Sequence, residues 1–388
     1  MELRKLLREA ELYWLQRSKA TRLLQGDNNT KYFLLLANGR HRKTKIYQLE
    51  QDEGIVIGDD NLKDYITNYY KNLFREPMHN DFSLQEERRE DIPQISHLEN
   101  EILCAPFSEQ EVKKAVFEME HNKALGPDGF LAEFYQFFWE TIKGDLMQLF
   151  YNFHQGILPI HSLNFGVITL LPKKADASRI QQFRPICLLN VSFKIFTKVL
   201  TNRLSLVANK VIRPSQTAFI PGRHILEGVV ILHETLHEMH RKKNSGVILK
   251  LDFEKAYDKV KWPFLQQVLR MKGFSPTWYD WINQVTTKGT VGIKVNEDIG
   301  HYFQTIFENM LWWICWQSSL VEQKKMDRHQ GWFHIWWMTG SPFYDMQENN
   351  LDQAVNMKIL LCAFEQLSGL KINFHKIELF CFGEAKNQ

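Results

Sequence analysis

A short apolar run that ends in a carboxylate constrains this chain more than any other feature. In Gly246-Val-Ile-Leu-Lys-Leu-Asp-Phe-Glu-Lys-Ala-Tyr-Asp-Lys-Val-Lys-Trp262, residues Val247–Leu251 alternate as a strand, Asp252 stands at its C-terminal edge, and Tyr257 follows five positions later. A rigid strand end fixes a metal-binding carboxylate better than a loop does. Chemistry that joins nucleotides needs such ligands, because two Mg²⁺ ions held about 3.5–4 Å apart stabilise both the attacking and the leaving oxygen. An aromatic beside the sugar can exclude a 2′-hydroxyl by bulk. A strand-end aspartate is also an ordinary turn or cap residue, so Asp252 alone leaves both readings open.

Around this run, helices and strands mix without regular βαβ alternation, and the fold class is read as α+β. Apolar spacing predicts helices over residues 1–24, from Thr30, and over Asn61–Arg75. Residues 76–100, polar and holding Pro77 and Pro93, read as a loosely ordered connector. Ser108 followed by Glu111 is a capping-box signature that opens a helix, and a Gly- and Pro-rich loop at Asn122–Gly129 follows. An aromatic-rich helix is expected over 132–154, a strand over Val167–Leu171, and helices over 190–211, 225–241, 263–272, 276–287 and 351–367. Strands are expected near Val291–Val295, Tyr302–Ile306, Leu370–Phe374 and Glu378–Phe382.

Composition narrows the class. With 388 residues, 44% hydrophobic and 24% charged, the chain can bury a core. No uncharged apolar run reaches the roughly 18 residues of a membrane span. The charged start, Met1 through Arg17, reads as no secretory signal, and the five scattered cysteines fit an intracellular, reducing compartment. Residues 1–45 hold eleven Lys/Arg against four Asp/Glu, a basic stretch that suits either a phosphate backbone or a solvated helix face.

The Leu251-Asp-Phe-Glu-Lys-Ala-Tyr-Asp-Lys-Val260 stretch resembles palm motif A of plant LINE-type (non-LTR) retrotransposon reverse transcriptases. Asn122-Lys-Ala-Leu-Gly-Pro-Asp-Gly129 resembles the family's opening loop. Ile168-Thr-Leu-Leu-Pro-Lys-Lys174 and Phe183-Arg-Pro-Ile-Cys-Leu-Leu-Asn190 resemble its two fingers motifs. Ile212–Arg223 resembles the segment between fingers and palm, and Ser368–Lys376 a later palm motif. The resemblance covers roughly 12–308 and 349–383. It implies a right-hand fingers and palm, with a central antiparallel sheet carrying Asp252, a helical N-terminal extension, and no thumb or upstream endonuclease. It divides the chain into a basic helical linker (1–100), fingers and first part of the palm (101–308), an aberrant segment (309–348) and a C-terminal palm remnant (349–388). By position, Asp252 and the Phe253 carbonyl would hold Mg²⁺ and Asp252 would be catalytic. Tyr257 would select the sugar, and Lys173 and Arg184 would meet the nucleotide or template. RNA template and DNA primer would be the partners, in the nucleus or cytoplasm. Asp128 is read as stabilising its turn.

Two family motifs are missing: a "G-x-x-Q-G-D-P-x-S-P" segment and the "Y-A-D-D" that completes the metal site. Resemblance stops after Thr305 and resumes near Asn349. Between them, six of the chain's 11 tryptophans fall within residues 312–337. Glu322-Gln-Lys-Lys-Met-Asp-Arg328 can be encoded by DNA that, shifted by one base, reads "R-A-K-E-D-G". Gly340-Ser-Pro-Phe-Tyr-Asp-Met-Gln347 can likewise come from codons whose shifted reading resembles "V-S-I-L-R-Y-A-D", matching it through the Ala. Asp345 and Asp352 are single, and the only Asp-Asp pair is Asp59-Asp60. The segment thus reads as family sequence out of frame, by a small indel or an intron boundary, in a copy whose polymerase activity is lost; a true insertion is the competing reading. A nucleic-acid-binding remnant and a pseudogene product without selected function are the alternatives. Sequencing the locus and its transcript tests the shift: an alternative frame between the codons of Thr305 and Asn349 should encode both missing motifs. Their absence from every frame would contradict it.

Overall fold

The computed structural model describes Leu6 and residues 45–74, 93–121, 123–212, 220, 222–243, 246–250, 261–286, 289–296, 298–305 and 351–382. The helices expected over 1–24 and from Thr30, most of the basic stretch, Asp252, Phe253, Tyr257 and the segment 306–348 lie outside the described residues. What is described mixes helices with small sheets, an α+β arrangement.

The described chain opens with a hairpin, β1 (Gln48–Gln51) and β2 (Gly54–Ile57), paired antiparallel with Leu49 opposite Val56. Helix α1 (Asp59–Leu73) follows, and its buried Leu62, Ile66 and Tyr70 recur every fourth residue on one face. Asp59 and Asp60 lie in its first turn, where the helix dipole favours negative charge. The chain's only Asp-Asp pair is thus occupied at a helix start: Asp60 pairs with Lys63 at 3.0 Å, and Asp59 accepts from Asn296 Nδ2 at 3.0 Å.

Where a connector was expected through residue 100, α2 (His97–Cys104) begins. Ser96 forms a complete capping box with Glu99, each side chain accepting from the other's backbone N–H. Lys210 donates to the same Glu99 carboxylate at 2.6 Å and, with Ser96, holds its pKa at about 2. Helix α3 (Glu109–Phe117) starts at Ser108, whose hydroxyl accepts from the Glu111 N–H at 3.2 Å. The Glu111 carboxylate does not return to close the expected box, because Arg203 takes it.

The aromatic helix expected over 132–154 is two: α4 (Ala132–Phe137) and α5 (Trp139–His154). Phe138, at φ −93° and ψ 19°, ends one and starts the other. Then come β3 (Phe165–Pro172), β4 (Phe183–Leu189) and the long α6 (Val191–Val211). Thirteen residues of α6 are buried, more than a one-sided helix can show, so it runs through the middle of the helical core. Its Phe196 stacks on Phe150 of α5 at 4.0 Å. Helix α7 (Ile225–Arg241), strand β5 (Gly246–Lys250), α8 (Trp262–Met271) and α9 (Pro276–Thr286) continue the chain. Trp278 and Trp281 of α9 join this core, Trp281 packing on Phe153 of α5 and on Phe107.

Strands β6 (Gly289–Val295), β7 (Asp298–Ile299) and β8 (Phe303–Thr305) follow, then α10 (Leu351–Ser368) and β9 (Glu378–Phe382). The Leu370–Phe374 strand expected from sequence is instead a single bridge at Ile372 and a 3₁₀ turn at Phe374–Lys376. The five-stranded sheet runs β4-β3-β6-β7 with β8 on β6. It is mixed: β3 pairs antiparallel with β4 but parallel with β6, Ile168 lying opposite Ile293. The larger sheet is thus mixed where a central antiparallel sheet was expected, while Asp252 itself lies outside the described residues. The helices between β3 and β6 return the chain to its starting end, which makes that pairing parallel. The strand before Asp252, β5, pairs among the described residues with β9 alone, Lys250 opposite Glu378.

One face of the larger sheet, with Ile168, Leu170, Phe183, Val291 and Ile293, packs on Leu62, Ile66 and Tyr70 of α1 and on Leu49. Residues 46–74 share that core rather than standing apart from it. Asn296 ties the two together, receiving the Ile46 N–H at 2.8 Å and donating to its carbonyl at 3.0 Å from a left-handed φ of 56°.

Arg203 is only 5% exposed and joins three elements. It grips Glu111 through Nε at 2.6 Å and Nη2 at 2.9 Å. It donates to the carbonyls of Leu103 (2.8 Å), Ala105 (2.7 Å) and Pro106 (3.2 Å), and lies 4.0 Å over the Phe107 ring. Its removal strands a carboxylate and the carbonyl end of α2. Arg203→Met should cost about 3–5 kcal/mol in chemical denaturation, with Arg203→Lys intermediate. A loss under about 0.5 kcal/mol, the range of ordinary surface substitutions, would contradict this role.

Candidate nucleotide and template site

The β3/β4 hairpin positions both cationic residues singled out from sequence. Paired residues share a face of a sheet, and successive residues alternate between faces. Phe183 points into the α1 core, so Arg184, opposite Leu171, belongs to the other face. On that face lie Thr169, paired with Ile186, and Lys294 of β6, paired with Thr169. Arg184 is exposed and makes no side-chain hydrogen bond or ion pair among the described residues; the same holds for half-buried Lys294. Other cations nearby in the fold are neutralised, Lys198 by Glu118 at 3.1 Å and Lys63 by Asp60. The open sheet face therefore carries two uncompensated positive charges, an arrangement that attracts phosphate.

Aromatic side chains border the same face. Tyr302 meets Phe165 edge-on at 6.3 Å, and both it and Ile299 lie over Gly292. A Cβ at Gly292 would stand 2.7 Å from Ile299 Cγ2, so only glycine lets β7 close down here. Lys173 has a partly structural role. Its amine donates to the Gln181 carbonyl at 2.8 Å and its N–H to Gln182 at 2.8 Å, closing the hairpin loop. Its exposed position still leaves it beside the hairpin tip with Lys174.

The Gly-Pro-Asp-Gly loop is fixed to the far end of this hairpin. Asp128 Oδ1 accepts from the Phe130 N–H at 3.2 Å, the turn bond expected of it, and Oδ2 accepts from Val191 at 3.2 Å, capping α6. Asn190 Oδ1 returns a bond from the Asp128 N–H at 3.1 Å. Gly126 is obligatory, because a Cβ there would meet the Leu189 carbonyl oxygen at 2.4 Å. The loop, the end of β4 and the start of α6 are thus one rigid unit.

Asp252, Phe253 and Tyr257 lie outside the described residues, so the structure brings together Lys173 and Arg184 only. Among the described residues no group of three or more His, Cys, Asp or Glu could hold a metal ion, and no helix is long and apolar enough to cross a membrane. Lys294 was missed by sequence reading, although the alternation Val291-Gly-Ile-Lys-Val295 announces one polar position on an otherwise apolar strand.

Residues 171–308 match the family profile described as reverse transcriptase (RNA-dependent DNA polymerase). The "Transposon TX1 uncharacterized 149 kDa protein" of Xenopus laevis is 32% identical over 283 residues, 72% of this chain and 21% of that protein. Two R2 retrotransposable-element Pol polyproteins are each 26% identical: the type-1 element of Nasonia vitripennis, over 54% of this chain, and the type-2 element of Drosophila melanogaster, over 53%. The chain spans about a fifth of the length of these curated relatives, 20–21%. A solved apo telomerase from Candida tropicalis, truncated from its C-terminal domain, aligns with 97% of this chain and 90% of its own at 14% identity and a TM-score of 0.35, a likeness too loose to carry weight. From the profile and the three relatives, this chain carries a reverse transcriptase domain of the kind found in non-LTR retrotransposon proteins.

Proposed function

We propose that this chain is the polymerase segment of a plant LINE-type element that grips RNA template and DNA primer without extending them. The grip rests on the open sheet face: Arg184 and Lys294 uncompensated, with Tyr302 and Phe165 alongside. Positive charge beside aromatic surface is what a single strand requires, one for its phosphates and the other for its bases. Lys173 and Lys174 at the hairpin tip extend the charge. By family position Tyr257 would restrict the sugar and Asp252, with the Phe253 carbonyl, would hold Mg²⁺, which when bound neutralises charge on the reacting phosphate.

The residues present do not complete that metal site. After Asp252 no Asp-Asp pair follows, and the chain's only such pair, Asp59-Asp60, is committed to the start of α1. One carboxylate does not hold two ions in a fixed geometry. What remains is charge, stacking surface and a folded scaffold. The two filled cores favour a folded binder over a pseudogene product that holds no structure. Its residence would be intracellular, where its template is.

Filter binding of a short RNA template–DNA primer duplex tests the grip. Affinity should fall with salt, and Arg184→Ala should weaken it and make the log–log salt slope shallower by roughly 0.7–0.9, one phosphate contact. Binding that ignores both salt and Arg184 would refute it. The missing site can be supplied: replacing residues 306–348 with an in-frame family segment bearing Tyr-Ala-Asp-Asp should produce Mg²⁺-dependent extension. A well-folded replacement that stays inert would show that the loss lies elsewhere.

A further inference from the structure

A cavity of about 90 Å³ opens where the end of α3, the Gly-Pro-Asp-Gly loop and the first turn of α6 meet. Met119, Phe130 and Val191 give it apolar walls, and Lys123, Lys194 and Lys198 line it together with the carboxylates Glu118 and Glu120. The three lysines are not alike. Lys198 pairs with Glu118 at 3.1 Å, and Lys123 with Glu120 at 2.6 Å. Lys194 is 9% exposed, and its amine has no hydrogen bond or ion pair among the described residues.

The groups around Lys194 offer it no relief. Both carboxylate oxygens of Asp128 are already accepting backbone N–H groups. The Cys187 thiol is pushed by burial to about 12 and stays uncharged. Lys123 adds repulsion, and Lys194 stands in the first turn of α6, where the helix dipole disfavours a cation. Burial accordingly holds the Lys194 amine below the usual lysine range, with Cys187 and Asp128 opposing it weakly. A buried amine without a partner among the described residues, lining an open cavity, can take its counter-charge from an anion in solution.

We propose that this cavity binds a phosphate group, with Lys194 as its direct partner. Phe130 is exposed at the wall, and its ring lies 4.7 Å from Phe134, so a base attached to that phosphate would find a stacking surface beside it. Because Asp128 and Asn190 tie this loop to the end of β4, the cavity is rigidly placed relative to the hairpin that carries Arg184. The phosphate is either free or part of a nucleic-acid backbone. In the second case the inference rests on the RNA-binding reading above, and the strand would run from the Arg184 face to this cavity.

Trace acetylation of the full chain near neutral pH, read lysine by lysine by mass spectrometry, tests it. Inorganic phosphate and an eight-nucleotide oligouridylate are the probes. A bound anion reprotonates the amine and shields it, so Lys194 acetylation should slow about fivefold or more while exposed Lys371 is unchanged. Slowing by phosphate alone supports a free-phosphate site; slowing by the oligonucleotide, alone or as well, supports a strand site. Slowing by neither overturns the proposal, even if filter binding shows that RNA binds elsewhere. Slowing by phosphate with no RNA retention upholds the cavity and sinks the RNA-binding reading instead. Lys194→Met keeps the stem and removes a desolvated charge, so it should fold and should lose any phosphate-induced rise in melting temperature. Retention of that rise would also overturn the proposal.

Discussion

The arrangement depends on the clamp that Arg203 makes in the middle of α6. Three carbonyls at the end of α2, the Glu111 carboxylate and the Phe107 ring converge on one guanidinium that is almost out of solvent. A planar fork with five donors can satisfy all of these at once, which a lysine ammonium cannot. The near end of α6 is held separately by Asp128, and Lys210 in its last turn is held by Glu99. A helix gripped at both ends and in the middle by residues distant in sequence sets the frame for the loop, cavity and hairpin attached to it.

On that frame the proposed function rests on the distribution of charge. Most cations in the described structure answer a carboxylate or a carbonyl. Arg184 and Lys294 on the sheet face and Lys194 in the cavity do not, and all three lie on elements fixed to the start of α6 or to the β3-centred sheet. Uncompensated charge costs stability unless a ligand supplies the counter-charge. The same reasoning separates binding from catalysis. Binding needs positive charge and surface, which are present; the chemical step needs several carboxylates at fixed spacing, of which the proposed reading assigns Asp252 alone.

Much of this was legible in the sequence wherever one local period dominates. The apolar stripe of Tyr65, Ile66, Tyr69, Leu73 and Phe74 announced α1, and the apolar richness of Val191–Val211 announced α6. The alternation of Val247–Leu251 announced β5. Long-range pairings were not legible. The β1/β2 hairpin is built of short strands with Gln and Glu, and Leu49, buried on α1 and the larger sheet, anchors it. The parallel partnership of β3 and β6 joins segments separated by four helices, and no local signal encodes it. The break at Phe138 lies inside an aromatic run with no Gly or Pro to mark it. Glu111 carried the capping-box pattern but went to Arg203, because a buried cation outcompetes a solvent-facing backbone N–H for a carboxylate. Among site residues, Arg184 was found from its motif, whereas Lys294 and Lys194 became visible only once strand faces and cavity walls could be drawn.

The central claim is that this reverse transcriptase domain retains its grip on nucleic acid and lacks its chemistry. Primer extension by the unaltered chain on an RNA template, with Mg²⁺ and all four deoxynucleotides, tests it most directly. The account predicts bound but unextended primer, indistinguishable from an Asp252→Ala control. Extension that requires Mg²⁺ and disappears in Asp252→Ala would contradict it.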